Sequence, residues 1–174
     1  MEIPIIWSII KKQEGPILEI GNVLSHYFAF QHDIVDKYEK GDYVINEDVI
    51  DLQLQKKYDL IVSISTIEHV GWDENPLDKN QKLNVPEKTL QAIENLKRFL
   101  KPNGLLFLTF PVGANPHLDT LVKSKKIKFV SLFCMKRVSK DNRWVETEWT
   151  DIQNLEYGKP FPLANGLVIG VINA

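Results

Sequence analysis

Four stretches of this chain are apolar on successive rather than alternate residues, and that habit constrains the fold more than any other feature. They are Pro16–Ile20, the short run Asp33–Asp36, Tyr58–Ile64 and Leu105–Phe110. A strand with one wet face alternates polar and apolar residues. A contiguous apolar strand is covered on both faces, the situation of a parallel sheet between helical layers. The runs stop at residues that turn or solvate the chain: Gly21, Asp36 and Pro111. Val44-Ile45 and Asp48-Val49-Ile50 offer a further short strand.

Between the last two runs the spacing predicts a helix over Pro86 to Leu100, with Leu90, Ile93, Leu96 and Leu100 on one face. Proline suits its first turn, and Lys97, Arg98 and Lys101 lie where the helix dipole favours cations. Pro102-Asn103-Gly104 is a turn signal that delivers the chain into Leu105. Helix, turn and buried strand make half of a βαβ unit. Further on, Asn115-Pro116-His117-Leu118-Asp119 reads as a helix start, Lys128–Val138 as a strand and Gly166–Ile172 as a last strand. The expected class is α/β, a Rossmann-like doubly wound and mostly parallel sheet.

The chain has 174 residues, enough for one domain over 1–174. Its 21 basic and 23 acidic side chains leave a formal charge of −2, which argues against a broad grip on long nucleic acid or on a membrane surface. Cys134 is the only cysteine, so no intrachain disulfide forms, and a reducing, cytoplasmic setting is expected. Met1–Ile10 is apolar but too short to span a bilayer, and it lacks the basic leader and small-residue cleavage site of a secretory signal. A short helix covering one edge of the sheet is the expected use. Nothing in the sequence sets an oligomeric state.

The chemistry-bearing residues follow the strands. Glu19-Ile20-Gly21 closes the first run, and Asp36 closes the second, 17 residues after Glu19. Glycine there lets backbone turn sharply beside a ligand, and an acid at that interval is where nucleotide-binding folds hold ribose hydroxyls. One E-x-G alone also reads as a structural turn with a surface acid. After these come Glu47-Asp48-Val49-Ile50-Asp51-Leu52, then Tyr58-Asp59-Leu60-Ile61-Val62-Ser63-Ile64, then Leu100-Lys101-Pro102-Asn103-Gly104. In that order, over roughly residues 14–112, the chain resembles the class I S-adenosylmethionine-dependent methyltransferases.

The resemblance implies S-adenosyl-L-methionine as cofactor and an antiparallel final strand, for which Gly166–Ile172 is the candidate. Glu19, Gly21 and Asn22 would border the methionine part. Asp36 would take the ribose hydroxyls, with Lys37 and Tyr38 beside the adenine. Asp48 and Val49 would meet the adenine edge, while Ser63, Ser65 and Thr66 would line the end of strand four. The chain departs from the family after Gly21, where Asn22-Val23-Leu24-Ser25 replaces further glycines. The short interval to Asp36 leaves a first helix of about two turns.

Glu68-His69, directly after strand four, could act as an oriented acid/base pair, or could be a helix-start pair serving structure alone. Asp73–Asp78 reads as a solvated loop. His26, His32, His69 and His117 lack metal-ligand spacing, so no metal site is expected. Lys136-Arg137 ends a strand and reads either as an anion holder or as surface charge. Trp144, Trp149, Tyr157 and Phe161 read as an apolar lid or as hairpin packing. The leading functional expectation is methyl transfer to a small-molecule hydroxyl, such as that of a sugar. The alternatives are a non-catalytic cofactor-binding regulatory module and an NAD-dependent oxidoreductase.

Overall fold

A computed structural model describes residues 1–29, 31–72 and 85–174. The predicted runs become β1 (Ile17–Ile20), β2 (Asp33–Val35), β3 (Val44–Ile45), β4 (Tyr58–Ile64) and β5 (Leu100–Pro111). The later part of the chain adds β6 (Ser131–Arg137), β7 (Trp144–Thr147) and β8 (Gly166–Asn173). All belong to one sheet, ordered β3-β2-β1-β4-β5-β8-β6-β7. β1 to β5 are mutually parallel, and β8 runs antiparallel to β5, as the resemblance implied. β6 is antiparallel to β8 and therefore parallel to the centre, with β7 as an antiparallel edge. The sheet is doubly wound and Rossmann-like, and mostly parallel.

Helices lie on both faces: α1 (Glu2–Ile10), α2 (Pro86–Lys97), α3 (Pro116–Lys123) and the single turn α4 (Trp149–Ile152). α1 does not cover an edge as the sequence suggested. Ile6 and Ile10 are fully buried against Ile17, Leu60, Val62 and Ile64, at the centre of one face. The ring stack of Trp7 on Phe28, with centroids 3.9 Å apart, extends that cover. Among the described residues no helix is long and apolar enough to cross a membrane.

On the other face α2 buries Ala92, Ile93 and Leu96 against β4 and β5. It ends at Lys97 rather than Leu100, because Leu100 already pairs with Tyr58 as the first residue of β5. Pro102-Asn103-Gly104 is thus an irregularity inside a long strand. The register shifts there and Asn103 takes φ of 66°. α3 starts as read, Asn115 Oδ1 accepting from the N–H groups of His117 and Leu118.

The β1–β3 side carries little helix. The expected two-turn helix after Gly21 is one 3₁₀ turn, Leu24–His26. The segment after β3 is a turn instead of a longer strand. Asn95 of α2 holds that segment, its Nδ2 donating to the carbonyls of Val49, Ile50 and Leu52 at 2.8, 3.2 and 3.1 Å. With Asn95 nearly buried, Asn95→Ala strands these carbonyls and is expected to cost about 2 kcal/mol of unfolding free energy. A urea midpoint within error of the wild type would contradict that role.

Cys134 is buried in β6. Burial first, and Glu148 second, push its thiol up to about 11. At pH 8 about a thousandth of it is thiolate. The folded chain is expected to resist a thiol reagent that labels the urea-unfolded chain at once. Prompt labelling of the folded chain would show β6 opening.

Candidate functional site

In a doubly wound sheet a crevice forms outside the carboxyl ends of the strands, where the strand order reverses. Here the reversal lies between β1 and β4. Gly21 leaves β1 at φ of 84°, and a Cβ on it would lie 2.1 Å from Thr66 Oγ1. Glycine is required both by the left-handed backbone and by Thr66, which follows β4. Sequence reasoning had left it open between a ligand and a structural turn.

Glu19 points inward and is fully buried. Its Oε1 accepts from the N–H groups of Val23 (3.0 Å) and Leu24 (2.8 Å), and its Oε2 meets His32 Nε2 at 2.5 Å. This clasp shapes the loop after β1 in place of the missing glycines. Asp36 faces the same loop. Its Oδ2 accepts from Asn22 N–H at 3.1 Å, and its Oδ1 accepts from Tyr38 and Glu39 N–H at 2.8 and 2.7 Å. Asn22 Nδ2 also donates to Glu39 Oε1 at 2.6 Å, and Ser25 Oγ donates to Asn22 Oδ1. Asn22, Asp36 and Glu39 therefore form one polar rim over β1 and β2. Glu39 was not read from the sequence, because an acid in a polar loop carries no local mark.

Lys37 bridges the next two expected residues. Its Nζ lies 2.8 Å from Asp48 Oδ2 and 5.4 Å from the Tyr38 ring centroid. Burial pulls the Asp48 carboxyl upward, but the Lys37 ammonium and the Ile50 N–H hold it below the usual range. Val49 turns its side chain into the core. Ser63 is fully buried within β4, its Oγ without a hydrogen-bond partner among the described residues. Ser65 donates to a residue the sequence did not single out, Glu2 of α1, at 2.8 and 2.9 Å.

The structure separates Glu68 from His69. Both lie in the 3₁₀ turn Ile67–His69, but Glu68 is buried and His69 is exposed. The Glu68 carbonyl accepts from Asn115 Nδ2 at 2.7 Å, tying this turn to the start of α3. One turn along, Asp119 Oδ2 accepts from Gly113 N–H at 2.9 Å, while its Oδ1 is buried without a partner among the described residues. Burial pushes the Asp119 carboxyl up to about 6, against the lowering effect of Gly113 N–H. An acid four residues after a capping Asn was the available signal for it.

Arg137 reaches the carboxyl-end rim but spends its guanidinium on the carbonyls of Ser139, Lys140 and Pro162, with its Cζ 5.2 Å from the Phe161 ring centroid. Trp149 packs on the core, and Trp144 Nε1 donates to Asn142 Oδ1 at 2.7 Å. These contacts fit hairpin packing. Asp73–Asp78 lies outside the described residues.

No protein-family model matches the sequence, and no curated protein is detectably similar to it. Solved structures do resemble it. One is the N-methyltransferase NodS from Bradyrhizobium japonicum WM9 in complex with S-adenosyl-L-homocysteine, at 12% identity and TM-score 0.54, over 93% of this chain and 79% of that one. A second is a S-adenosylmethionine-dependent methyltransferase from Thermotoga maritima, a possible histamine N-methyltransferase, at 14% identity and TM-score 0.56, over 99% of this chain and 87% of that one. A third is the glycopeptide N-methyltransferase MtfA complexed with S-adenosyl-L-homocysteine, at 9% identity and TM-score 0.55, over 99% of this chain and 89% of that one. At such identities the likeness is one of fold.

Proposed function

We propose that this chain, which has the fold of the class I S-adenosylmethionine-dependent methyltransferases, transfers a methyl group from S-adenosylmethionine to a small molecule, with a sugar-type hydroxyl as the first acceptor to try. One observation carries the reading: Gly21, Asn22, Asp36 and Thr66 converge over the carboxyl ends of β1, β2 and β4, where the strand order reverses. When bound, the cofactor supplies a methyl group on a cationic sulfur that departs as a neutral thioether.

The residues present fit that group. Asp36 Oδ2 accepts one backbone N–H, that of Asn22, so a lone pair remains for a ribose hydroxyl. Gly21 offers bare backbone at the crossing of β1. His69, exposed beside the end of β4, is the group proposed to take the acceptor proton. Glu68, being buried, serves the turn that presents it. The balanced charge of the chain favours a small acceptor over long nucleic acid.

A second reading has its own support. Asp48 is already held by Lys37, and three backbone N–H groups already occupy Asp36. Such prior engagement suits a module that binds the cofactor without turnover.

The test is a thermal shift with S-adenosylmethionine, S-adenosylhomocysteine and NAD in parallel. A ligand at a hundred times its dissociation constant is expected to add about 2.7 kcal/mol of stability. Stabilisation by NAD alone, or by none of the three, would overturn the reading. Binding without methyl transfer across a broad acceptor panel would select the non-catalytic alternative. Asp36→Asn keeps an acceptor for the Tyr38 and Glu39 N–H groups but turns a donor towards the ribose. It also loses the Asn22 N–H bond to Oδ2, so it is expected to weaken S-adenosylhomocysteine about ten-fold and to lower the melting temperature by a few degrees. Unchanged affinity by calorimetry would remove Asp36 from the ribose site.

A further inference from the structure

The rim between β4 and β5 holds a carboxylate to which the reading above gives no task. Glu2, in the first turn of α1, accepts from Ser65 Oγ through both oxygens, at 2.8 and 2.9 Å, and from Thr109 Oγ1 at 2.5 Å. Thr109 is fully buried in β5. Ser65 follows β4 at φ of 42°, a left-handed conformation that a serine seldom takes unless its surroundings hold it there. The next residue, Thr66, is the one packed against Gly21. Glu2 therefore stands beside the end of β4, next to the point where the strand order reverses.

Its partners are neutral. Hydroxyls orient a carboxylate without cancelling its charge, and two hydroxyl protons leave part of its accepting capacity unused. Among the described residues no lysine, arginine or histidine forms an ion pair with Glu2. Elsewhere on the same rim the chain does supply a cation to a carboxylate, Lys37 to Asp48. An oriented anion left without an internal cation beside a ligand crevice is suited to a cation that the ligand brings.

We propose that Glu2 is an anchor for an ammonium group of the bound ligand. The inference rests on the methyltransferase reading. The ammonium has two sources: the amino-acid end of the cofactor, or a basic amine acceptor. As a tether for α1 the contact needs only an accepting oxygen, which an amide supplies. Recognition of an ammonium needs the charge.

Glu2→Gln separates those roles, because it keeps the acceptor and removes the anion. The experiment is calorimetry of wild type and E2Q with S-adenosylhomocysteine and with 5′-methylthioadenosine, which lacks the amino-acid end. Initial rates with matched primary amines and alcohols accompany it. If the ammonium is the cofactor's, E2Q weakens S-adenosylhomocysteine about ten-fold and leaves methylthioadenosine unchanged. If it is the acceptor's, S-adenosylhomocysteine affinity holds while KM for amines rises about ten-fold and that for alcohols does not. Should E2Q fail to fold, the wild type alone carries the test, by its preference for S-adenosylhomocysteine over an analogue that lacks only the amino group, and for amines over alcohols. An E2Q protein that binds S-adenosylhomocysteine as tightly as the wild type, with no rise in KM for amines, overturns the inference and leaves the methyltransferase reading standing. A wild type that binds neither nucleoside sinks that reading, and this inference with it.

Discussion

Gly21→Val is expected to lose about 3 kcal/mol or more of unfolding free energy, before any ligand is considered. Two independent costs add. The residue sits at φ of 84°, where a β-branched side chain is strained by about 1–2 kcal/mol. The new Cβ would also lie 2.1 Å from Thr66 Oγ1, 2.8 Å from its Cγ2 and 3.0 Å from its Cβ. The clash with a side chain fixed at its root cannot be relieved by a rotamer change alone. The Thr66 hydroxyl moreover donates to the Ile64 carbonyl at 3.0 Å. Denaturant unfolding of Gly21→Ala and Gly21→Ala/Thr66→Gly apportions the loss. The double variant is expected to recover the steric part and keep the backbone part. A Gly21→Val protein with wild-type stability would mean that the loop after β1 is not closed on Thr66.

This result changes what a loop substitution can say about function. From sequence, the glycine after the first strand reads either as a ligand requirement or as a structural turn. Position and residue type were legible, but the neighbour was not. Thr66 lies 45 residues downstream, and only the pairing of β1 with β4 brings it there. Loss of binding in a Gly21 variant therefore reports on the fold first, and Asp36→Asn is the sharper probe.

The same division runs through the molecule. Helix α2, the irregular turn at Asn103 and strands β4, β5 and β8 were readable because periodicity, turn residues and contiguous burial are local properties. The helix boundary slipped by a turn because Leu100 satisfies both a helix face and a strand start. The reduced β1–β2 crossover was half legible: its length was, and its 3₁₀ form was not. That form depends on Glu19 and His32, 13 residues apart, meeting in the interior. Glu2 is the extreme case. It lies 63 residues from Ser65 and 107 from Thr109, distances over which no spacing rule operates.

Asp119→Asn is expected to stabilise the protein at neutral pH by about 2–3 kcal/mol, with the gain vanishing in acid. One carboxylate oxygen is satisfied by Gly113 N–H at 2.9 Å, and the other is buried without a partner among the described residues. Burial favours the neutral acid, so the folded-state value rises to about 6 from 3.8. The sign follows from proton counting. Between about pH 4 and pH 6 the folded chain holds a proton that the unfolded chain has released, so wild-type stability falls as pH rises across that window. Below it both states are protonated and nothing is lost. Above it both are ionised and the loss is constant. Asparagine is nearly isosteric with the protonated acid and does not titrate. Its Oδ1 can still accept from Gly113 N–H, and its Nδ2 takes the place of the buried oxygen. Unfolding curves of the two proteins should therefore coincide near pH 4 and separate progressively up to about pH 6.5. A separation independent of pH would mean that Asp119 titrates normally and that Gly113 and α3 are held by packing alone.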